Sequence, residues 1–260
     1  MGGIQTRLRE LAHDRRSGAA EIARNAVDLL AALPTDRMME GATLLLRGHP
    51  SMAPLWRLAS ALCAAESPGE GGRLFADLLD ADQAAVAALH RVVHGRRVLT
   101  ISYSSSVAEL VRVACPVGVL CMRSEPGGEG IHMARAVRGW TETSLVDDAT
   151  ALRDPFADVV VAGADAVTPT SVINKVKTRA LAEAAHERGI PVYAIAGETK
   201  FIGAELPLAP LFEPTPLELF SAVAAPHGLL DPAAAAEHAR LSAVHPSLVP
   251  LLSELGASAP

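Results

Sequence analysis

Several short stretches of the chain set chemistry-competent side chains where an apolar run gives way to a turn or a helix. Ser102-Tyr103-Ser104-Ser105-Ser106 follows the β-branched run Val98-Leu99-Thr100-Ile101 and leads into a helical pattern. Hydroxyls and free backbone N–H groups at a helix N-terminus suit a phosphate, and the same serines suit plain N-capping. Cys121 closes a second apolar run two residues before Arg123. A thiol beside an arginine titrates low enough for acid–base work, whereas a buried cysteine is inert. Gly163-Ala164-Asp165 turns a carboxylate out of the end of Asp158-Val159-Val160-Val161-Ala162, either toward a crevice or onto its own turn. Asn174-Lys175 reads as the opening of a helix, where a lysine opposes the helix dipole unless an anion compensates. The chain has no GxxxxGK[ST] motif and no GxGxxG after a strand, so neither a P-loop nor a dinucleotide fingerprint is present.

These residues need elements to hold them. Up to about residue 95 the pattern is helical. Ala19, Ile22, Ala23, Ala26, Val27, Leu29 and Leu30 recur with a period near 3.6 and stop at Pro34. Arg37–Leu46, Met52–Ala65 and Arg73–Val93 continue in the same way, and Ser67-Pro68-Gly69-Glu70-Gly71-Gly72 reads as a loop or linker. From Arg97 onward short apolar strands alternate with helices: 98–103, 117–122, 143–146, 158–162 and 191–196, with helices near 107–114, 131–138 and 172–188. That alternation implies βαβ units and a parallel sheet covered on both faces. The expected architecture is an all-helical N-terminal domain (1–95) followed by a doubly wound, mostly parallel, Rossmann-like α/β domain (96–260) that ends in an Ala-rich helical tail. Ligands of such sheets sit beyond the carboxyl ends of the strands, near a topological switch point.

Composition narrows the chemistry further. The chain of 260 residues is 50% hydrophobic, only 3% aromatic, and carries a net charge of −6. The acidic balance and the scarcity of aromatics argue against direct nucleic-acid binding. No apolar run reaches the roughly 18 residues needed to span a membrane, and the N-terminus lacks a signal-peptide core, so a cytoplasmic location is expected. Cys63, Cys115 and Cys121 form no CxxC pair, which points away from a disulfide framework or a structural zinc site, and no metal or cofactor is expected.

Taken together the motifs resemble those of the regulatory (alpha, beta and delta) subunits of initiation factor 2B, a superfamily shared with ribose 1,5-bisphosphate isomerase and methylthioribose 1-phosphate isomerase. The resemblance rests on Val98-Leu99-Thr100-Ile101-Ser102-Tyr103-Ser104, on Gly163-Ala164-Asp165-Ala166-Val167 with Val172-Ile173-Asn174-Lys175-Val176-Lys177-Thr178, and on Phe212-Glu213-Pro214-Thr215-Pro216-Leu217-Glu218-Leu219. Asp14-Arg15-Arg16-Ser17-Gly18-Ala19 and His49-Pro50-Ser51-Met52-Ala53 are similar to its N-terminal helical elements. The resemblance implies a small phosphorylated ligand held by Ser17, Gly18, Ala19, Ser104, Ser105, Ser106, Arg123, Asn174 and Lys175. It also implies a homodimer or larger homo-oligomer, for which Leu206, Leu208, Leu211, Phe212, Leu217, Leu219 and Phe220 offer an apolar patch. In the isomerases a cysteine and an aspartate move protons between two sugar carbons. The aspartate falls on Asp165, but the cysteine falls on Ser102. Arg123-Ser124-Glu125-Pro126 exchanges the family's acidic and basic residues, and Lys177 replaces a glycine. These departures imply a non-catalytic binder of a sugar phosphate or mononucleotide. The alternative is an aldose–ketose isomerase run by Asp165, with Cys121 as a relocated thiol.

Overall fold

The computed structural model describes residues 2–15 and 17–256. Arg16, inside the first motif, lies outside the described residues.

Among the described residues six helices precede the first strand: α1 (Gly2–His13), α2 (Ala19–Ala31), α3 (Thr35–Gly48), α4 (Ala53–Ala64), α5 (Pro68–Ala81) and α6 (Ala84–Val93). The stripe expected from residue 19 is the buried face of α2. The 67–72 stretch, read as a loop, is the start of α5. Ser67 caps it by accepting from the Glu70 N–H, and Pro68 supplies a first-turn φ. Its glycines are packing residues: a Cβ on Gly71 would meet Ala61 O at 2.6 Å, and one on Gly72 would meet the Ala31 methyl at 2.8 Å. The helix expected from Arg73 to Val93 is broken at Asp82-Gln83, and α6 leaves the helical layer to pack on the sheet through Ala85, Val86, Leu89 and Val93. The helical layer proper therefore stops near Ala81 rather than at residue 95.

The α/β part runs β1 (Arg97–Thr100), α7 (Ser105–Ala114), β2 (Gly118–Met122), α8 (Glu129–Val137), β3 (Glu142–Val146), α9 (Asp148–Arg153), β4 (Val159–Gly163), β5 (Ala166–Val167), β6 (Ser171–Lys175), α10 (Thr178–Glu187) and β7 (Val192–Ile195). It closes with β8 (Phe212–Pro216), β9 (Ala222–Ala225), β10 (Gly228–Leu230), α11 (Pro232–Arg240) and α12 (Val249–Glu254). The main sheet has the order β10-β9-β7-β4-β1-β2-β3, parallel except for the β9–β10 hairpin. Strand order reverses between β1 and β4, so Ser102 and Asp165 leave the sheet on either side of the switch point. Pleating sends alternate side chains to opposite faces. Val98, Val159 and Val161 join the α6–α7–α8 core, while Leu99, Val160 and Ala162 join the α10–α11 core.

One expected element is different in kind. Residues 171–175 form β6, the middle strand of a three-stranded antiparallel sheet (β5-β6-β8), and the helix begins only at Thr178. Val172 and Ile173 are β-branched and buried, which suits a strand. Lys175 thus sits at a strand end, not at a helix start. Of the expected apolar patch, Leu206, Leu217 and Phe220 are buried in the core, Leu211, Phe212 and Leu219 are half-buried, and only Leu208 is clearly exposed. The tail after α11 docks on the helical layer, where Val244, Leu248 and Leu252 share a core with Leu45, Trp56 and Leu62.

Candidate functional site

A cavity of about 640 Å³ lies between the helical layer and the carboxyl edge of the sheet. Its walls come from the start of α2 (Asp14, Arg15, Ser17, Gly18), the α3–α4 junction (Arg47 to Met52), the ends of β1 and β4 (Ser102, Tyr103, Asp165), Glu129, Lys175 and the 208–212 segment. The junction is a keystone. Ser51 Oγ donates to Pro207 O and accepts from the Ala209 N–H, while the Ala53 N–H donates to Asp165 O. The His-Pro-Ser-Met-Ala motif thereby fixes both the Asp165 backbone and the opposite wall. His49 Nε2–H donates to Leu11 O at 2.7 Å, and burial holds the His49 pKa below its ordinary value, so its ring is neutral at pH 7.

Asp165 is partly buried at the switch point, and its own N–H donates to Ile173 O. Burial pushes its carboxyl pKa up to about 6, against the opposing pull of the nearby Lys200 ammonium. Ser102 has the left-handed φ of 63°, a conformation that costs a non-glycine residue of order 1 kcal/mol or more and clusters at functional sites. Ser124, also left-handed at φ 68°, enforces it. Ser102 N–H donates to Ser124 Oγ at 2.7 Å, Ser124 Oγ donates to Met122 O, and Asp148 accepts from the Ser124 and Glu125 N–H groups. Lys175 Nζ is buried and donates to Glu129 Oε1 at 2.6 Å and to Pro126 O at 2.5 Å. The second oxygen, Glu129 Oε2, is a buried acceptor with no hydrogen-bond partner.

The start of α2 faces the cavity with a glycine cap. Gly18 is the N-cap and has no side chain to cap the first turn, and among the described residues nothing lies within 4 Å of the place its Cβ would take. Helix N-terminal donors with Arg15 beside them suit an anion.

The other expected ligand residues lie elsewhere. Ser104 accepts from the Val107 N–H and caps α7, and none of Ser104, Ser105 or Ser106 lines the cavity. Arg123 faces Glu125 at 3.8 Å, away from the cavity. Asn174 is buried and donates to Thr178 Oγ1, bracing the β6–α10 turn. Lys177 takes the left-handed φ of 78° expected where the family has glycine, and its ammonium pairs with Asp148 at 2.5 Å. Cys121, the penultimate residue of β2, lies beside β1 as expected, yet the pleat turns it into the apolar α6–α7–α8 core, and burial pushes its thiol up to about 12. It is no relocated thiol for this cavity. In the folded protein at neutral pH, a thiol-selective alkylating reagent is expected to modify the exposed Cys115 readily and Cys121 only after denaturation, as read by peptide mass spectrometry. Equal modification of both would refute the burial of Cys121. Sequence reasoning did not place Arg47, His49 or the 208–212 wall at the site, because only the packing of the two layers brings them to the cavity.

Comparison with known proteins places the chain in a family and agrees with its fold. Residues 60–230, more than half of the chain, match the model of the initiation factor 2 subunit family. A translation initiation factor eIF-2B subunit 2-like protein of Pyrococcus horikoshii is 30% identical, over 75% of this chain and 78% of its own. A ribose 1,5-bisphosphate isomerase of Methanocaldococcus jannaschii is 29% identical over 43% of this chain and 39% of its own. The crystal structure of a Pyrococcus horikoshii OT3 translation initiation factor eIF-2B superposes with a TM-score of 0.78 at 24% identity, covering 88% of this chain and 97% of that one. That of 5-methylthioribose 1-phosphate isomerase from the same organism gives 0.63 at 18% identity, covering 88% and 85%. The switch-point cavity, the motifs around it and the matched span agree: this chain belongs to the initiation factor 2 subunit family, in which eIF-2B-like proteins have sugar-phosphate isomerases as relatives.

Proposed function

We propose that the protein binds a small phosphorylated sugar or mononucleotide in the switch-point cavity without isomerising it. The observation that carries this reading is the side-chain inventory of the cavity: Ser102 stands where the isomerases keep a thiol, and no cysteine lines the walls. The N-terminus of α2 and Arg15 receive the phosphate. Lys175, already neutralised by Glu129, orients that carboxylate rather than meeting the phosphate directly. The crystal structure of a tetrameric eIF2B-beta2-delta2 complex superposes on this chain with a TM-score of 0.72. With that likeness in view, self-association of this chain belongs to the same reading.

The test is isothermal calorimetry of the protein with ribose 1,5-bisphosphate, other pentose phosphates and mononucleotides. Saturable one-site binding of at least one of them is expected. Arg15→Ala is expected to weaken it about tenfold, the cost of a charge-assisted contact to phosphate, whereas Ser105→Ala leaves it unchanged. Binding that ignores Arg15→Ala and falls with Ser105→Ala would move the phosphate to the α7 end.

One observation favours isomerase chemistry as a second reading. Asp165, with its pKa raised to about 6, is poised to exchange protons near neutrality.

A further inference from the structure

Away from the cavity, three side chains able to hold a metal converge where β7 and β9 end. β7 leads through Gly197 into a 3-10 turn, Glu198–Lys200; Pro226-His227 links β9 to β10; and α11 carries His238. One donor atom from each of Glu198, His227 and His238 lies within 4.8 Å of the other two. His238 Nε2 is 2.8 Å from Glu198 Oε2, the His227 and His238 ring centroids are 4.7 Å apart, and Phe201 meets the His238 ring edge-on at 4.6 Å. We propose that Glu198, His227 and His238 form a binding site for a zinc-class divalent cation.

The donor set decides the class. Two imidazole nitrogens and one carboxylate oxygen suit Zn²⁺, whereas Mg²⁺ and Ca²⁺ select sites made of oxygen. Tetrahedral bonds of about 2.0–2.1 Å place donors about 3.4 Å apart. The Glu198–His238 pair, at 2.8 Å, gives up its hydrogen bond and opens by about 0.6 Å to admit the ion, while the exposed His227 ring swings inward. His227 is also the residue that a simple Glu–His hydrogen bond leaves unexplained: its side chain makes no hydrogen bond among the described residues and faces its two metal-competent neighbours. The other ligands are held before any metal arrives. Thr199 donates both its N–H and its hydroxyl to Asp82, which locks the turn bearing Glu198. Asp231 caps α11 through the Ala234 N–H, and Phe201 packs beneath His238. Because His227 is exposed, the fourth coordination position opens to solvent, as in zinc sites that keep a water or an exchangeable ligand.

The experiment uses the full, tag-free chain, stripped with a chelator and dialysed, then titrated with Zn²⁺ against a chromophoric competitor and with Co²⁺ for its visible ligand-field bands. One equivalent is expected to bind, with a tetrahedral-type Co²⁺ spectrum. His227→Ala and Glu198→Gln are expected to lower affinity at least about 100-fold, since loss of a ligand exceeds the 10–100-fold effect of losing a supporting contact. His227 lies in an exposed turn, so its variant folds, as circular dichroism will verify, and it decides the case should Glu198→Gln prove unstable. The stacked His90–His94 pair at the end of α6 is the internal control. Absence of stoichiometric binding, binding unchanged in His227→Ala, or binding abolished by His90→Ala with His94→Ala would each overturn the proposal.

Discussion

Incubated with ribose 1,5-bisphosphate and followed by NMR, the unmodified protein is expected to form no ketose product. The reason is proton chemistry. A thiol titrates near 8.5 and can be tuned to neutrality, whereas an alcohol needs a strong adjacent base. The polar contact that the structure gives Ser102 is its backbone N–H to Ser124 Oγ, which positions the backbone and activates nothing. Cys121 cannot deputise, with its thiol pushed up to about 12 inside an apolar core. Proton transfer by a positioned side chain contributes roughly 10²–10⁴-fold, and the cavity retains only the Asp165 half of that machinery. Ser102→Cys is therefore expected to create turnover about 10²-fold above the parent background, at the low end of that range because nothing tunes the new thiol. The departures at Arg123 and Lys177 do not stand in its way, since both side chains bind carboxylates outside the cavity. Robust turnover by the parent, abolished by Asp165→Asn and indifferent to Ser102→Ala, would establish an isomerase run by the aspartate and end the binding-only reading.

The sequence is most informative where one periodicity rules. The 3.6 stripe of α2 and the apolar runs of β1, β2, β4 and β7 lie where the pattern places them, and they deliver Ser102 and Asp165 to the switch point. It misleads where tertiary contact overrides local preference. Gly71 and Gly72 look like loop residues, but a helix interior holds them because neighbouring helices leave no room for a Cβ. Ser171–Lys175 runs into a helical pattern, yet it pairs with β5 and β8, and β8 is distant in sequence. Cys121 sits beside β1 as expected, but its usefulness turns on pleat parity, which directs it to the face opposite Met122. The gathering of Glu198, His227 and His238 has no spacing signal, because three separate elements supply one ligand each.

Asp165→Asn is expected to stabilise the folded protein by about 1–3 kcal/mol at pH 7.5 and to change little at pH 4. Burial raises this carboxyl from an ordinary 3.8 to about 6. Between those values the folded chain holds the proton and the unfolded chain does not. The contribution of Asp165 to stability is therefore greatest below about pH 4, falls as pH rises toward 6, and stays low above it. A pKa raised by about two corresponds to about 3 kcal/mol. Part of this is returned in the variant, because Lys200, whose own pKa burial lowers, loses one of the two carboxylates facing it and keeps only Asp82. Asp148 titrates with the opposite sign, since Lys177 and the Ser124 and Glu125 N–H groups hold its carboxyl below the usual range despite partial burial. For that reason the difference between variant and parent isolates Asp165, which the parent's pH profile alone does not. Urea midpoints for both proteins at pH 4 and pH 7.5 measure it directly. A variant no more stable than the parent at pH 7.5 would mean that Asp165 ionises without cost and that its carboxylate is better solvated than the cavity geometry implies. The expected result would instead mark Asp165 as a group whose charged form destabilises the fold, because burial strips its carboxylate of water.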